Sequence, residues 1–425
     1  MNELDSQRLA GQLQRQGYLP AASPEQADLI LLNSCSVREK AEHKVFSRIG
    51  RFRKLKSDNP NLTIGLCGCV AQQVGDEALR RSRDLDFVLG PARVGELTEV
   101  LARRQRGERV VAVGFPEQRP FDIDAICREG SYKGMVTVIE GCNKNCTFCI
   151  VPTTRGGERC RPIHEILAEV EALVAKGFLE IELLGQTVNH WRQPGGNLDF
   201  ADLLEAVATI AGVERLRFVT SYPRDFTQEM VDQIGRHENI CPYLHLPVQS
   251  GSDRVLRLMG RGYSAEGYRQ VVASLRAARA DLALSTDLIV GFPGETDADF
   301  EQTIALVEEM QFASLFAFVY SPRPGTAAPS LPNAVPPEIA AERLQRLLRL
   351  QEGIQHRLNE ELVGARLEVL VTEAGTDGST LAGRTACHRV VHFEPRLRSE
   401  TPVLGQIHPV VIERANPHSL IGRAV

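Results

Sequence analysis

Residues 142–149 read Cys142-Asn143-Lys144-Asn145-Cys146-Thr147-Phe148-Cys149, directly after an apolar strand candidate at 136–140. Three thiolates on one short loop can each hold one iron of a cubane cluster, which leaves the fourth iron without a protein ligand. Four-cysteine electron-transfer ferredoxins are spaced differently. A zinc knuckle needs four ligands, and no nearby histidine completes the set. An open iron can be chelated by the amino and carboxylate groups of a small molecule, and S-adenosylmethionine (SAM) carries both.

Outward from this loop, residues 131–335 repeat strand and helix signals about six times. The strand candidates lie at 136–140, 181–184, 216–220, 243–247, 284–290 and 315–320. A helix over 164–176 sets Ile166, Leu167, Val170, Leu173 and Val174 on one face and stops at Gly177. Thr296 is a helix N-cap before Asp297. Repeated βα units predict a partial TIM-like (βα)6 barrel, whose chemistry belongs at the C-terminal strand ends. Phe148, Gly185, Gln186, Ser221, Gln249, Ser250, Asp287, Ile289 and Gly291 stand in the loop or at those ends and are candidate ligand contacts. Glycine lets a ligand approach the backbone, and amide and hydroxyl side chains offer neutral hydrogen bonds. For any single one of these residues, turn structure is an equal explanation.

The flanks differ in pattern. Residues 1–105 alternate helix and strand signals, with strands at 27–32, 62–66 and 86–89, and predict a small parallel-sheet α/β domain. Residues 106–130 carry prolines and little periodicity and read as a linker. The central unit extends over 131–360 and ends in a charged helix. Residues 361–425 hold five short strand signals punctuated by glycine and predict a small β-barrel.

The 425 residues are 43% hydrophobic with a net charge of −5, so the composition does not advertise nucleic-acid binding and local charge must be read instead. No apolar run reaches the length of a membrane span and no signal peptide is visible, so a cytoplasmic protein without membrane contact is expected. Ten cysteines in a reducing compartment read as metal ligands or buried thiols rather than disulfides. Cys127, Cys241 and Cys387 are expected to be buried small hydrophobes. The segment 38–56 collects Arg38, Lys40, Lys44, Arg48, Arg51, Arg53, Lys54 and Lys56 along a helix whose inner face is Val45, Ile49 and Phe52. A solvated face and phosphate contact explain such a run equally well.

At 142–162, CNKNCTFCIVPTTRGGERCRP resembles the methylthiotransferase family of radical SAM enzymes. The likeness runs through LLNSCSVREKAEHKVF (31–46), GCVAQQ (68–73), LLGQTVN, SYP, LHLPVQSGSDRVLRLMGRGY and DLIVGFPGET. It ends in GRTACHRVVHF and SLIGR, which resemble an RNA-binding TRAM barrel. The resemblance implies two [4Fe-4S] clusters, SAM as co-substrate, a low-potential reductant such as a flavodoxin, tRNA as substrate, and a monomer. Cys142, Cys146 and Cys149 then hold the SAM cluster, the nine ligand-contact candidates are its SAM contacts, and Cys35 and Cys69 hold an auxiliary, sulfur-donating cluster. SCSVREKAE is most similar to the branch that acts at C2 of N6-isopentenyladenosine 37 of tRNA. The branches acting on threonylcarbamoyladenosine or on a ribosomal-protein aspartate usually differ just after this cysteine. Arg51, Arg53, Lys54, Arg384 and Arg389 are the RNA-contact candidates, with Arg396 and Arg398 beside them.

Three features depart from the family pattern. Its N-terminal domain has three cluster cysteines, the first preceding a segment like MNELDS; here the sequence starts at Met1-Asn2-Glu3-Leu4-Asp5-Ser6, so that cysteine and its strand are absent. A start codon assigned too late is the leading expectation, and reading the upstream DNA in frame checks it. The alternatives are an incomplete auxiliary cluster, in a form that cleaves SAM without inserting sulfur, or recruitment of Cys67, which an extended strand would turn to the same side as Cys69. Thr153 stands where tyrosine is usual, and Cys160 where serine is common. Outside the enzyme reading, a non-catalytic iron–sulfur RNA-binding protein is the alternative.

Overall fold

The computed structural model describes residues 1–36, 39–117, 121, 126–128, 132–374, 380–395 and 404–425, with the side chains of 39–41 outside the description. Helix α1 (Asn2–Arg15) precedes a parallel four-stranded sheet ordered β1 (Leu29–Ser34), β2 (Thr63–Gly68), β3 (Phe87–Leu89) and β4 (Val110–Ala112). Its helices are α2 (Glu39–Asp58), α3 (Cys69–Val74), α4 (Asp76–Arg81) and α5 (Leu97–Gln105). Strand β4 falls inside the segment read as a linker: Val110, Val111 and Ala112 pair with Phe87, Val88 and Leu89 and close the sheet on that side. An isolated three-residue apolar run has too little periodicity to reveal itself, but a waiting sheet edge satisfies its backbone.

The central unit contributes β5 (Lys133–Thr137), β6 (Ile139–Glu140) and β7 (Arg159–Cys160), then β8 (Glu180–Leu184), β9 (Arg215–Phe218), β10 (Tyr243–His245), β11 (Ala283–Val290) and β12 (Ser314–Val319). Its helices are α6 (Val151–Arg155), α7 (Ile163–Ala175), α8 (Phe200–Ala208), α9 (Gln228–Arg236), α10 (Asp253–Leu258), α11 (Ala265–Ala278), α12 (Asp297–Met310) and α13 (Pro337–Glu360). Two parallel sheets, β5-β8-β9 and β10-β11-β12, meet where Leu216 bridges Ile240, forming the open barrel that the βα repeats predict. The outward strand residues Val136, Ile181, Leu183, Leu216, Leu244, Leu284, Leu288 and Val290 join Ile166, Val170 and Leu173 of α7 in one apolar core. Alternation then turns the other set into the lumen. Helix α12 starts as its sequence says, in a capping box between Thr296 and Asp299.

After α13, strands β13 (Arg366–Ala374), β14 (Leu381–Thr385), β15 (Val390–Glu394), β16 (Ile407–Ala415) and β17 (Leu420–Ala424) close a barrel in the order β13-β14-β15-β17-β16. It docks on the foot of the central barrel. Arg215 donates to the carbonyls of Arg384 and Glu368 at 2.9 and 2.7 Å, and Arg217 to those of Ala386 and Thr385 at 2.7 and 2.9 Å. The His388 ring lies 4.7 Å from that of Tyr243. No helix among the described residues is long and apolar enough to cross a membrane.

Candidate iron–sulfur and cofactor site

The antiparallel ribbon β6–β7 ties the two ends of the 142–149 loop and α6 together, with Ile139 opposite Cys160 and Glu140 opposite Arg159. The Cys142 amide donates to the Gly156 carbonyl at 3.0 Å. At its far end the loop is clamped on the turn after α10. The Thr147 amide donates to Met259 O at 3.0 Å, and its hydroxyl donates to Leu258 O at 2.8 Å.

Each clamp leaves a cysteine sulfur facing a donor. Cys142 Sγ lies 3.3 Å from Thr187 Oγ1 and accepts from the Lys144 amide at 3.4 Å. Arg261 Nη1 donates to Cys146 Sγ at 3.3 Å. Such donors stabilise negative sulfur, so the set suits thiolates ligating a cluster. Burial pushes the Cys142 thiol up against the pull of Thr187 and Lys144, and pushes Cys149 up to about 11. Among the described residues no three His, Cys, Asp or Glu side chains converge on a single ion; a cubane instead spreads its cysteines over separate irons.

Arg261 is itself caged. Its guanidinium lies 4.5 Å from the Tyr222 ring centre and 5.2 Å from that of Tyr263, and its Nε donates to Tyr263 Oη at 2.8 Å. Tyr222 Oη closes the cage on the Arg261 carbonyl. Burial raises the Tyr263 phenol to about 12, so it stays neutral beside the cation. Thr187, Tyr222, Arg261 and Tyr263 lie inside the motifs LLGQTVN, SYP and LHLPVQSGSDRVLRLMGRGY, and the contacts of Thr187 and Arg261 with the cysteine sulfurs come from the fold.

The nine SAM candidates separate by orientation. Phe148 packs edge-on to Phe292 at 6.2 Å, in an apolar group with Ile289 and Tyr320 at the barrel mouth. Gln186 accepts from the Gly141 amide through its Oε1, bracing the residue before Cys142. Gly185 lies tight against Ile139. Ser221 is buried with its hydroxyl unpartnered among the described residues. Gln249 holds a left-handed φ of 73° and stitches its loop to β11 through backbone bonds to Asp287 and Ile289. Asp287 faces the lumen, 3.4 Å from His245 Nε2. Ser250 turns away toward α12, where its hydroxyl sits 3.4 Å from Thr303 Oγ1. At Gly291 (φ 70°) a Cβ would sit 2.6 Å from the Ala340 Cβ of α13, so packing of that helix alone requires glycine there. Thr153 is exposed on α6, and Cys160 Sγ accepts from the Arg192 amide at 3.3 Å.

The second cysteine group forms from two strand ends. The β1–β2 register pairs Asn33 with Cys67 and Ser34 with Gly68, so Cys35 and Cys69 leave adjacent ends. Gly68 has φ 88°, and a Cβ there would meet Ser34 O at 2.7 Å, so only glycine lets the ends lie this close. The expectation of an extended 67–69 segment is corrected. The strand stops at Gly68 and Cys69 opens α3, while Cys67 is fully buried among Leu9, Phe87 and Leu89. Burial pushes its thiol up to about 12.

The two groups meet through α3 and α6, which pack together. Arg155 ends α6 and forms a buried ion pair with Asp5 of α1. Burial alone would lower the Arg155 pKa, but Asp5 and then Cys69 raise it, so the guanidinium stays charged beside Cys69. Arg8 extends the network to Glu140 at 3.2 Å.

Of the RNA candidates, Arg51 and Lys54 are exposed, and Arg53 pairs with Asp84 at 3.0 Å. Lys44, Arg48 and Arg51 line an open groove of about 640 Å³ beside β1 and carry no acidic partner among the described residues. Arg384 donates to His388 O at 3.3 Å and Arg389 to Asn359, so both serve the barrel's own turns. Arg38, Arg396 and Arg398 lie outside the described residues, as does the Lys40 side chain.

Comparison with known proteins matches this arrangement. The Radical SAM superfamily model covers residues 136–307, and the model described as uncharacterized protein family UPF0004 covers 1–90. The chain is 46% identical over 433 residues to the tRNA-2-methylthio-N(6)-dimethylallyladenosine synthase of Chromobacterium violaceum, covering all of this chain and 96% of that one. It is 47% identical over 431 residues to the synthase of the same description from Thiobacillus denitrificans, with the same coverage. Among solved structures, the fold is similar to that of the radical SAM methyltransferase TsrM from Kitasatospora setae, with cobalamin and a [4Fe-4S] cluster bound. That match has TM-score 0.52 and 13% identity and covers 80% of this chain and 68% of that one. It is also similar to the cobalamin-dependent radical SAM enzyme OxsB, with TM-score 0.54, 14% identity and 83% and 53% covered. The chain is thus a radical SAM methylthiotransferase and belongs to the family of the tRNA-2-methylthio-N(6)-dimethylallyladenosine synthases.

Proposed function

We propose that this protein adds a methylthio group at C2 of N6-isopentenyladenosine 37 in tRNA, using a SAM-binding cluster on Cys142, Cys146 and Cys149. The carrying observation is the packing of α3 on α6, which puts the Cys35/Cys69 group beside the helix that follows the cysteine triplet. A second cysteine group in that place fits an enzyme that delivers sulfur to the activated carbon. The names of the relatives supply the RNA substrate for this reading.

When bound, the first cluster with SAM supplies a 5′-deoxyadenosyl radical, which can take the hydrogen of a C2–H inert to polar chemistry. The chain's own residues hold and insulate that chemistry. Thr187, the Lys144 amide and Arg261 direct hydrogen-bond donors at the ligand sulfurs. Phe148, Ile289 and Tyr320, packed on the buried Phe292, line the mouth with apolar surface that keeps water away from a reactive species. The unpartnered Ser221 hydroxyl and the Gln249 loop are the proposed polar contacts to SAM, whereas Ser250 and Gly291 are proposed to shape the loops. Cys35 and Cys69 provide two of the thiolates that a second cluster needs, with the Arg155 guanidinium to offset its charge. Cys67, committed to the core, is proposed to stay a thiol. Lys44, Arg48 and Arg51 are proposed to meet RNA phosphates, and a low-potential flavodoxin-like protein is the proposed reductant.

The test is nucleoside analysis of tRNA from a strain lacking this gene and from the same strain carrying it. The proposal expects N6-isopentenyladenosine to accumulate in the first and its 2-methylthio derivative to return in the second. Identical nucleosides in both strains would sink it.

A further inference from the structure

The lumen of the open barrel is polar at its foot and apolar in two places on its wall. Its foot carries Glu180, Glu182, Arg217 and Lys133 in ion pairs, capped by the C-terminal barrel through His388. On the β5/β8 side, Leu4 of α1 covers Met135 and Leu184. On the last strand, β12, Phe316 is 47% exposed.

Phe316 is not on the outer surface. It pairs with Asp287 across the β11–β12 register, and its neighbours Leu315 and Ala317 pack against the opposite, helix-covered core. Its ring stands edge-on to His245, with centres 6.1 Å apart. His245 is held on both nitrogens: Nδ1 lies 2.8 Å from Ser285 Oγ, and Nε2 lies 3.4 Å from Asp287. Phe318, two residues on, pairs with Ile289 and leads up to the apolar mouth near the cysteine loop. The β12 wall beneath the mouth is therefore aromatic, and Phe316 leaves part of it exposed.

We propose that Phe316, with the fixed His245 edge beside it, is the subsite that receives the dimethylallyl group of the substrate base. The inference rests on the substrate reading above. An adenine whose C2 faces the mouth must point its N6 substituent elsewhere, and down the lumen it meets Phe316. A branched five-carbon apolar group has nothing to bond with on the Glu180, Lys133 or Arg217 surfaces, but it buries well against an exposed phenyl ring. Phe316 is accordingly a specificity residue that separates prenylated from plain adenosine.

The experiment compares the binding of two anticodon stem-loop RNAs to the reconstituted full-length protein, one with N6-dimethylallyladenosine and one with adenosine at the target position. Apolar pocket contacts of this kind discriminate by about tenfold or more. Phe316→Ala should reduce the preference about tenfold by weakening only the prenylated RNA, and Phe316→Leu should retain part of it. Iron content per chain establishes that each variant folds. An unchanged preference in Phe316→Ala, or equal weakening of both RNAs, overturns the subsite alone. Equal affinity of the unsubstituted protein for both RNAs overturns the substrate reading and the subsite with it.

Discussion

The two cysteine groups of this molecule are made by different means. Cys142, Cys146 and Cys149 share one loop, whose ends are tied by the β6–β7 ribbon and whose middle is clamped by Thr147 on the turn after α10. Cys35 and Cys69 follow the ends of two separate strands and adjoin because the parallel register sets Ser34 against Gly68. The first group is local in sequence, and Thr147, Thr187 and Arg261 tie its loop to distant parts of the barrel. The second is a product of tertiary structure, and the buried Asp5–Arg155 pair joins it to the first. Damage to the first should therefore stop all chemistry, and damage to the second should stop sulfur transfer alone.

The largest contrast short of the triplet itself is between neighbouring cysteines. Cys69→Ala should abolish methylthiolated product and lower iron content while SAM is still cleaved. Cys67→Ala should keep both activities and cost about 1 kcal/mol as a small buried deletion. Product formation by Cys69→Ala, or its loss in Cys67→Ala, would exchange their roles. Next comes the link between the groups. Asp5→Asn removes the carboxylate that pairs with the buried Arg155 guanidinium and should destabilise the fold by about 3–5 kcal/mol. Denaturant unfolding measures this, and adding Arg155→Gln should restore part of the loss. A weaker effect is expected at Arg261→Met, which removes the donor to Cys146 and should reduce the cluster's iron affinity by about 10–100-fold. Chelator challenge of the reconstituted protein reads this, and Arg261→Lys should recover part of it.

The smallest effect concerns the C-terminal barrel, remote from both groups. Burial, then the charges of Arg217 and Arg384, lowers His388 from its ordinary value of 6.5 to about 3. A base whose folded pKa is depressed adds full stability above its unfolded pKa and loses it as pH falls from there toward the folded value. Thermal stability should therefore decline below about pH 6.5 more steeply in this protein than in His388→Gln. Parallel profiles would show that His388 does not couple docking to pH.

Much of this was legible in the sequence, where the signal was local. The triplet, the α7 stripe, the Thr296 cap and the six βα units follow from spacing and periodicity. Contacts far apart in sequence were not legible: nothing in residues 1–10 announces that Asp5 will meet Arg155, or in 250–265 that Arg261 will reach Cys146. Strand-end motifs could be placed at the barrel mouth, yet periodicity could not tell Ser250, turned to Thr303, from Ser221, left open. A three-residue strand such as β4 is invisible until a sheet edge waits for it. The basic run at 38–56 was legible as charge, but Arg53 spends its charge on Asp84 while Lys44, Arg48 and Arg51 remain available at the groove.

The central claim is that one local loop does the radical chemistry and a separate group delivers sulfur. The most direct test is to measure 5′-deoxyadenosine and methylthiolated nucleoside together, under reducing, oxygen-free conditions, for this chain, Cys142→Ala and Cys69→Ala. The account predicts no 5′-deoxyadenosine from Cys142→Ala, and 5′-deoxyadenosine without methylthiolated nucleoside from Cys69→Ala. SAM cleavage that survives in Cys142→Ala, or that disappears in Cys69→Ala, would contradict it.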